Sequence, residues 1–240
     1  MPHEGAGQVA LLGPANSGKS SLVCALTHAH PEVGEFPFTT RAPTPGMMYF
    51  ENVPIQLVDL PPISAEFTEP WLPQAIRHAN ASVLVVDVND AEDLEEIELI
   101  EADLRDWHVP PPRLLACNKV DKPGGAGNFE ALADLFRDRY RTISVSATTG
   151  EGLAGFARAV FDLLDVVRVY TKAPGKRTEL ERPYVLRRGA TVLDAARQVH
   201  KDFAEHLRFA RLYRRDGGHD GLMVERHHAV QDEDILEFHI

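Results

Sequence analysis

The stretch of sequence that decides the fold is Gly13-Pro14-Ala15-Asn16-Ser17-Gly18-Lys19-Ser20. It matches the phosphate-binding loop pattern, in which two glycines flank four residues and a lysine and a serine follow. A strand is predicted before it at residues 8–12, and a helix is predicted to begin at its end, over residues 19–27. In this context the backbone N–H groups of the loop and the positive end of the helix surround a phosphate. The sequence therefore predicts a phosphate-binding loop between the first strand and the first helix.

The residue types in this loop predict how a nucleotide is held. Lys19 is placed to bridge β- and γ-phosphate oxygens, and the Ser20 hydroxyl is placed to coordinate Mg²⁺. The residues expected to contact the nucleotide here are Gly13, Asn16, Ser17, Gly18, Lys19, Ser20 and Ser21. Taken alone, the loop leaves ATP and GTP open, and it leaves open a kinase or a switch protein.

Two later motifs favour guanine. Asn118-Lys119-Val120-Asp121 follows a predicted strand, and the carboxylate of Asp121 can accept both hydrogens that guanine offers at N1 and at its 2-amino group. The Asn118 amide can tie this loop to the phosphate loop, and the Lys119 stem can lie along the base plane. Ser146-Ala147, after the next predicted strand, would supply a backbone N–H to guanine O6. A site built on hydrogen bonds to the base edge rejects adenine, which leaves its polar groups unpaired.

A carboxylate suited to magnesium ends another predicted strand. Asp59 closes the strand predicted at residues 55–59 and is followed by Leu60-Pro61-Pro62. An aspartate at this place can hold Mg²⁺ through a water molecule. The sequence therefore predicts a metal site that includes Ser20 and Asp59.

The pattern of apolar runs predicts an α/β fold. Residues 1–165 alternate short apolar runs with helix-like stretches, which is typical of a mostly parallel sheet with helices on both faces. Strands are predicted at residues 8–12, 47–50, 55–59, 82–87, 114–117 and 142–146. Helices are predicted at residues 19–27, 70–80, 91–107, 128–138 and 152–164.

The pattern changes near residue 166, so the predicted domains are residues 1–165 and residues 166–240. The second domain is predicted to be a small α+β module. A helix is expected at residues 191–206, with Thr191 as its N-cap and Asp194 three residues later, and a turn at residues 217–221. Strands are expected at residues 166–170, 184–186, 209–213, 222–224 and 235–240.

The composition excludes several classes of protein. Of the 240 residues, 44% are hydrophobic and 25% are charged, which is typical of a folded chain and not of a disordered, collagenous or membrane protein. Apolar runs such as residues 82–86 are far too short to span a bilayer. No secretory signal is visible near Met1, so a cytoplasmic location is expected. The two cysteines support neither a disulfide framework nor a metal cage.

The net charge of −11 is distributed unevenly. Residues 1–165 carry 11 basic and 24 acidic side chains, a net of −13, whereas residues 166–240 carry 14 and 12, a net of +2. Within the second part, residues 168–215 have a net of +8. Two interpretations stay open: this basic segment meets a polyanion, or it is a solvated surface.

The motifs resemble those of the Obg-like and developmentally regulated GTP-binding proteins, within the GTPases related to translation factors. Phe36-Pro37-Phe38-Thr39-Thr40 is similar to the first switch of that family. Residues 166–240 resemble a TGS domain, a small ubiquitin-like α+β module. The likeness lies in Val169-Tyr170-Thr171-Lys172-Ala173-Pro174-Gly175 and in Asp232-Glu233-Asp234-Ile235-Leu236. The resemblance implies a P-loop GTPase domain followed by a TGS domain.

The resemblance also implies roles for individual residues. A switch threonine completes the Mg²⁺ shell, and we expect Thr40 in this role, with Thr39 as the second choice. Asn16 occupies the phosphate-loop position that binds K⁺ in several relatives. The alternative for Asn16 is a loop residue that bonds its own backbone. The expected catalytic residues are Lys19, Thr40 and Asn16, and the expected metal ligands are Ser20, Thr40 and Asp59.

Two residues depart from the pattern of such GTPases. Pro62 stands where a glycine N–H normally contacts the γ-phosphate, and proline has no N–H to donate. Either the neighbouring backbone makes that contact, or the γ-phosphate couples to this loop more weakly, or the prolines merely stiffen the loop. Ile63 stands where Ras-like proteins have a glutamine that orients the attacking water. The resemblance implies that water is oriented otherwise, with help from a monovalent cation.

The implied function is Mg²⁺-dependent hydrolysis of GTP to GDP and phosphate, stimulated by K⁺, in a ribosome- or translation-associated regulatory GTPase. The TGS domain would recruit ribosomal RNA, the ribosome or a translation-related protein, and neither a membrane nor DNA is expected as a partner. Two other functions stay open. One is a nucleotide-gated scaffold with negligible hydrolysis, and the other is an RNA-binding adaptor in which the nucleotide is structural.

Overall fold

The structure is a computed structural model that describes residues 5–27, 43–64, 68–173, 182–214 and 220–240. The chain divides into two compact units. The first contains Met1–Phe50 and Pro54–Leu164, and the second contains Glu51–Val53 and Asp165–Ile240. The join between the units lies one residue before the boundary predicted from the sequence.

The first unit is a parallel sheet with one added edge strand. Its strands are β1 (Gln8–Leu12), β2 (Thr44–Phe50), β3 (Val53–Asp59), β4 (Ala81–Asp87), β5 (Leu114–Asn118) and β6 (Arg141–Ser144). They lie in the order β2-β3-β1-β4-β5-β6, and the pairs from β3 to β6 are all parallel. Its helices are α1 (Lys19–Leu26), α2 (Leu72–His78), α3 (Glu92–Asp106), α4 (Gly125–Phe136) and α5 (Leu153–Leu163).

Helices cover both faces of this sheet, which explains the continuous apolar runs of its strands. Ala10 and Leu12 belong to a buried cluster with residues of α2, α3 and α4. Val9 and Leu11 are equally buried and point to the opposite face, where α5 lies against β5 and β2 and α1 lies against β2. The predicted α/β class is therefore confirmed.

Most elements of the first unit begin or end one to three residues from their predicted bounds, and three of them illustrate the differences. β5 continues through Asn118, because its backbone pairs with Asp87 of β4 and its carbonyl accepts from Val88 N at 3.1 Å. β6 ends at Ser144, so Ser146 lies in the loop that follows and not in the strand. α4 begins at Gly125, three residues earlier than predicted, after Gly124 in the left-handed conformation (φ 85°). Glycine adopts this conformation without steric cost.

The second unit is a mixed five-stranded sheet with two helices. Its strands are β7 (Val166–Thr171), β8 (Tyr184–Arg187), β9 (Phe209–Tyr213), β10 (Asp220–Val224) and β11 (Asp234–His239). They lie in the order β10-β9-β11-β7-β8, with β11 and β7 parallel and the other pairs antiparallel. The helices α6 (Val192–Val199) and α7 (Lys201–His206) contribute buried residues to its core, which also contains Val169, Leu212 and Leu236.

The prediction of one helix over residues 191–206 is wrong. The predicted cap at its start is present, because Thr191 and Asp194 exchange side-chain to backbone hydrogen bonds in a capping box. The helix then ends at His200, whose backbone is extended (φ −167°, ψ 147°). The His200 ring nitrogen accepts a hydrogen bond from Asp202 N at 3.2 Å. His200 thus ends one helix and caps the next.

The turn predicted at residues 217–221 falls largely outside the described residues. Within it, Asp220 and Gly221 belong to strand β10 instead. The register of β10 against β9 shifts between Asp220 and Leu222, and Gly221 has φ 78° there. A bulge of this kind favours glycine.

Within the second unit, Arg168 neutralises the acidic segment before β11. The Arg168 side chain is 2% exposed and donates to Asp232 at 2.8 Å, to Glu233 at 2.9 Å and to Glu51. Burial by itself would lower the pKa of Arg168, but the hydrogen-bonded carboxylates of Asp232 and Glu51 raise it above its ordinary value. These acidic residues are therefore engaged inside the unit.

None of the helices in the described part of the chain combines the length and the apolarity needed to cross a bilayer. The longest of those helices is α3, with 15 residues and an acidic sequence.

Candidate nucleotide-binding site

The predicted binding motifs meet at one edge of the first sheet. β1, β3, β4 and β5 are parallel and end at Leu12, Asp59, Asp87 and Asn118. The loop with Ser146 follows β6 at the same edge. In open α/β sheets, ligands bind at the carboxyl ends of the strands. The sheet therefore brings the phosphate loop (residues 13–20) and the loop of residues 118–121 together.

The glycines of the phosphate loop are required by its close contacts. Gly13 has φ 144°, and a Cβ there would lie 2.2 Å from the Val85 carbonyl oxygen. Gly18 has φ 92°, and a Cβ there would lie 2.2 Å from Asn118 Nδ2. No larger residue fits either place without displacing the backbone or a buried amide.

Lys19 lies buried across the phosphate loop. It is 6% exposed, and its Nζ donates to the carbonyl oxygens of Gly13 at 2.9 Å and of Pro14 at 2.6 Å. The Ser17 hydroxyl donates to the same Pro14 oxygen at 3.0 Å. The loop thus holds a cation in a concave stretch of backbone, which is the arrangement an oxyanion requires.

The helix that follows adds further donors. Its first intrahelical hydrogen bond runs from Leu22 N to Gly18 O at 2.9 Å. The amides of Lys19, Ser20 and Ser21 precede that bond, and amides in this position point out of the helix N-terminus. The helix dipole makes this end partially positive. The backbone N–H of Ser21 is therefore one of the donors at this end of the helix.

Two of the predicted metal ligands lie in contact. Asp59 is 1% exposed and accepts a hydrogen bond from the Ser20 hydroxyl at 2.5 Å. Carboxylate and hydroxyl oxygens are the hard ligands that Mg²⁺ prefers, so this donor set fits the ion. The other predicted ligands, Thr40 and its alternative Thr39, lie outside the described residues.

Asn118 links three loops. It is 1% exposed, its Nδ2 donates to Ser17 O at 3.0 Å, and its Oδ1 accepts from Ala147 N at 3.2 Å. The expected tie to the phosphate loop is therefore present. Within the predicted Ser146-Ala147 pair, the Ser146 N–H donates to Glu151 O at 2.9 Å. Both amides of this pair thus have an acceptor within the protein, Ser146 N–H in its own loop and Ala147 N–H on Asn118 Oδ1, so the donation of either N–H to guanine O6 stays a prediction.

Lys119 forms a second link to the phosphate loop. Its Nζ donates to Asn16 O at 2.6 Å and to Asp87 Oδ2 at 2.8 Å. Asn16 is exposed with φ 60°, and its side-chain amide makes no hydrogen bond with any described residue. Asp121 is exposed, and its carboxylate likewise accepts no hydrogen bond from the residues described. Both side chains therefore have their hydrogen-bonding capacity available at the site.

Sequence reasoning missed Asp87 and Asn89. Asp87 ends β4 and is 8% exposed. Burial by itself would raise the pKa of Asp87, but hydrogen bonds from Lys119 and from the Asn89 backbone hold that pKa below its ordinary value. The sequence signal that could have identified Asp87 is its place at the end of a predicted strand, because Asp59 ends β3 in the same way.

The segment after Asp59 is packed into the core. Pro61 and Pro62 are buried, and Ile63 is 0% exposed in the cluster that contains Leu60 and Leu72. A fully buried isoleucine has no polar atom to offer and does not reach the site. Leu60, Pro61, Pro62 and Ile63 therefore supply no polar side chain to orient a water molecule.

Comparisons with known proteins agree with this geometry. Residues 8–119 match the model of the 50S ribosome-binding GTPase family, and residues 167–240 match that of the TGS domain. The chain is 28% identical to an uncharacterized GTP-binding protein of Halobacterium salinarum, over 98% of this chain and 84% of that protein. It is 31% identical to the GTPase Obg of Desulforudis audaxviator, over 67% of this chain and 41% of that protein.

A solved structure extends the likeness of fold to both units. The crystal structure of a GTP binding protein from Pyrococcus horikoshii matches with a TM-score of 0.67 at 18% identity, covering 96% of this chain and 99% of that one. The chain therefore consists of a GTPase domain of the family described as 50S ribosome-binding GTPases, followed by a C-terminal TGS domain.

Proposed function

We propose that this protein binds GTP with Mg²⁺ and hydrolyses it to GDP and phosphate, as a cytoplasmic GTPase associated with the ribosome or with translation. One observation carries the proposal. The loop with the guanine-reading motif is fixed to the phosphate loop twice, by Asn118 Nδ2 to Ser17 O and by Lys119 Nζ to Asn16 O. Two such contacts set the spacing between a base site and a triphosphate site.

The proposed roles follow from the contacts. A triphosphate would replace the Gly13 and Pro14 carbonyls as the partner of Lys19, and the amides at the start of α1 would receive its oxygens. Asp121 would accept the N1 and 2-amino hydrogens of guanine. The Ala147 N–H, which donates to Asn118 Oδ1 at 3.2 Å, would be shared between that oxygen and guanine O6. Ser20 and Asp59 would hold Mg²⁺, which when bound neutralises charge on the β- and γ-phosphates.

Catalysis in this proposal is electrostatic. Charge develops on the phosphoryl oxygens in the transition state, and preorganised donors stabilise it at little reorganisation cost. Lys19 is confined to the phosphate loop, because its side chain is buried and hydrogen-bonded to the loop carbonyls. Thr40 is proposed to complete the metal site, by resemblance to the first switch of the family.

The proposal includes stimulation by K⁺ through Asn16. Its exposed side chain has no hydrogen-bonding partner among the described residues, whereas its backbone carbonyl holds Lys119. We expect single-turnover GTP hydrolysis to be at least about tenfold faster in K⁺ than in Na⁺, and Asn16→Ala to remove most of that difference. Unassisted turnover is expected at about 10⁻⁴ to 10⁻² per second. The measurement is phosphate release from preloaded GTP in matched KCl and NaCl buffers.

The matched control for this test is Gln198→Ala, which changes an exposed side-chain amide of α6. It should leave the salt preference intact. Equal rates in the two salts for the unmodified protein would rule out the K⁺ role. An Asn16→Ala variant that keeps the full preference would remove Asn16 from it.

The second candidate function is a nucleotide-gated scaffold with negligible hydrolysis. Pro62 has no N–H for the γ-phosphate, and the Ile63 side chain is fully buried. Both facts weaken the usual coupling between GTP and the second switch. The hydrolysis assay separates the candidates, because a scaffold would bind GTP tightly and release no phosphate above the level of a Lys19→Ala variant.

The TGS domain is proposed to bind the partner, and its exposed charge favours RNA. Its acidic residues near the C-terminal end are engaged internally, as in the Arg214–Asp234 pair at 3.1 Å and the Lys172–Glu237 pair at 3.3 Å. Five exposed arginines have no carboxylate within ion-pairing distance among the described residues: Arg182, Arg187, Arg208, Arg211 and Arg226. These five arginines form exposed basic charge in the part of the domain that the structure describes.

This partner assignment predicts salt-dependent RNA binding. We expect the full chain to bind a labelled single-stranded 12-mer RNA with an affinity that falls steeply with salt, and an Arg208→Ala/Arg211→Ala double variant to reduce the logarithmic salt slope by about 1.4. The readout is fluorescence anisotropy at several KCl concentrations. Arg197→Ala is the control, because Arg197 already pairs with Asp194 at 3.1 Å. Binding that is absent or insensitive to salt would indicate a protein partner instead.

A further inference from the structure

We propose that Asp87 is a positioning residue for the guanine nucleotide: it holds Lys119 against the phosphate loop and thereby sets how long the nucleotide stays bound. The inference rests on the proposed nucleotide site and adds to it a residue that lies outside every binding motif. The groups involved form the Asp87 cluster, which consists of Asp87, Asn89, Lys119 and Lys122.

The strand register places Asp87 beside the base-reading loop. Asp87 is the last residue of β4 and lies opposite Asn118, the last residue of β5. Its Oδ2 accepts from Lys119 Nζ at 2.8 Å and from Lys122 Nζ at 3.2 Å. Because Asp87 is 8% exposed and sits at the end of a rigid central strand, its carboxylate is a fixed point to which the lysines are held.

Asn89 orients the carboxylate from the other side. Its backbone N–H and its side-chain amide donate to Asp87 Oδ1 at 3.0 and 3.2 Å. The same side-chain amide donates to the Lys119 carbonyl at 3.0 Å. Lys119 has φ 64°, a left-handed conformation that is unfavourable for lysine. Asn89 and Asp87 thus hold both the backbone and the side chain of Lys119 in place.

Lys119 carries this constraint to the phosphate loop. Its ammonium lies between Asp87 Oδ2 and Asn16 O, at 2.8 and 2.6 Å. Without the carboxylate, the ammonium would keep a single carbonyl and gain water, and its stem would no longer be held along the base plane. Charge-assisted hydrogen bonds are shorter and stronger than neutral ones, so the negative charge of Asp87 is the property that matters.

Lys122 is the secondary member of the Asp87 cluster. Its side chain is 49% exposed, compared with 26% for Lys119, and its bond to Asp87 is longer. Exposed ion pairs contribute little free energy of stabilisation. The effect of Asp87 should therefore pass through Lys119 rather than through Lys122.

The test is the dissociation rate of GDP from Asp87→Asn, followed by stopped-flow fluorescence of a labelled GDP in the full chain with Mg²⁺. Asparagine keeps the size of the side chain and removes the charge. We expect dissociation about 10- to 100-fold faster, the range for losing a hydrogen bond to a charged group. The single-turnover hydrolysis rate at saturating GTP should change less than about twofold, and the preference for guanine over adenine should persist.

Asp90→Asn is the matched control, since Asp90 is an exposed carboxylate three residues away that accepts only from Glu92 N, at 3.1 Å. It makes the same change in net charge and should leave GDP dissociation unchanged. If Asp87→Asn folds poorly, Asn89→Ala tests the Asp87 cluster instead. This variant should accelerate GDP dissociation by a smaller factor than Asp87→Asn. Equal dissociation rates for Asp87→Asn and Asp90→Asn, or for Asn89→Ala and the unmodified protein, would overturn the inference.

A double-mutant cycle tests the route through Lys119. Asp87→Asn should add little to the rate in a Lys119→Met background and should retain its full effect in a Lys122→Met background. If the effects of Asp87→Asn and Lys119→Met on the dissociation rate of GDP were fully additive, the inference would be overturned, because Asp87 would then act through a residue other than Lys119. The two possible failures are distinguishable. If the proposed function is wrong, the unmodified protein binds no GDP. If only this inference is wrong, the unmodified protein binds GDP and the variants release it at the same rate.

Discussion

An Asp121→Asn variant is expected to bind GTP and GDP about 10³-fold more weakly than the unmodified protein. The carboxylate accepts two N–H groups of guanine, whereas an asparagine amide would turn donors toward at least one of them and leave it unpaired. Sites that read a base edge by hydrogen bonds discriminate by factors of this order. The fold should tolerate the change, because Asp121 is exposed and its carboxylate makes no contact with the described residues that would be lost.

The measurement for Asp121→Asn is isothermal titration with GDP and with xanthosine diphosphate. Xanthine has a carbonyl oxygen where guanine has the 2-amino group, so the asparagine variant should gain affinity for the xanthine nucleotide. Asp134→Asn, at an exposed aspartate of α4, is the control for charge and should bind GDP normally. Undiminished GDP binding by Asp121→Asn would show that Asp121 does not read the base.

A Lys19→Ala variant is expected to lose at least about 100-fold in single-turnover GTP hydrolysis. Lys19 is the buried cation of the phosphate loop, and its Nζ lies within 2.9 Å of the loop carbonyls that a phosphate would replace. Removing a preorganised donor to developing charge typically costs 10²- to 10³-fold in rate. GTP affinity should fall as well, because the ground-state triphosphate loses the same cation.

Phosphate release from preloaded GTP measures the effect of Lys19→Ala. Lys201→Ala removes an exposed lysine of the TGS domain that pairs with Glu205 at 3.5 Å, and it should leave hydrolysis unchanged. A thermal melt without nucleotide shows that the Lys19→Ala variant is folded. Hydrolysis retained by a folded Lys19→Ala variant would contradict the electrostatic account.

Much of the first unit could be predicted because its strands are buried on both faces. The strand Gln8–Leu12 was predicted at its observed bounds, since a continuous apolar run between turn signals has few alternatives. Strand ends were less predictable. The sequence predicts Asn118 as a loop residue, whereas its backbone pairs with Asp87 at the end of β4 and so extends the strand by one residue.

The helix break at His200 could not be predicted from periodicity. Val199 and Phe203 both pack against the core of the second unit, so the apolar pattern continues across the break. The competing interaction is local, because the imidazole of His200 accepts from Asp202 N and caps a new helix. Such side-chain to backbone bonds compete with the helix and leave little trace in the hydrophobic pattern.

The candidate site shows a similar division. The phosphate loop and the Asn118–Asp121 loop were predictable because each motif is contiguous. Asp87 was not, because its partner Lys119 lies 32 residues away in the sequence. The commitment of the Ser146 amide to Glu151 was also hidden, since it depends on how the loop after β6 folds back on itself.

The central claim is that the loops at one sheet edge recognise guanine and cradle its phosphates together. Calorimetric titration of the unmodified chain with GDP, GTP and ATP in Mg²⁺ and K⁺ buffer tests it most directly. One guanine nucleotide should bind per chain, at least about 100-fold more tightly than ATP. Tighter binding of ATP, or no heat of binding with either guanine nucleotide, would contradict the claim.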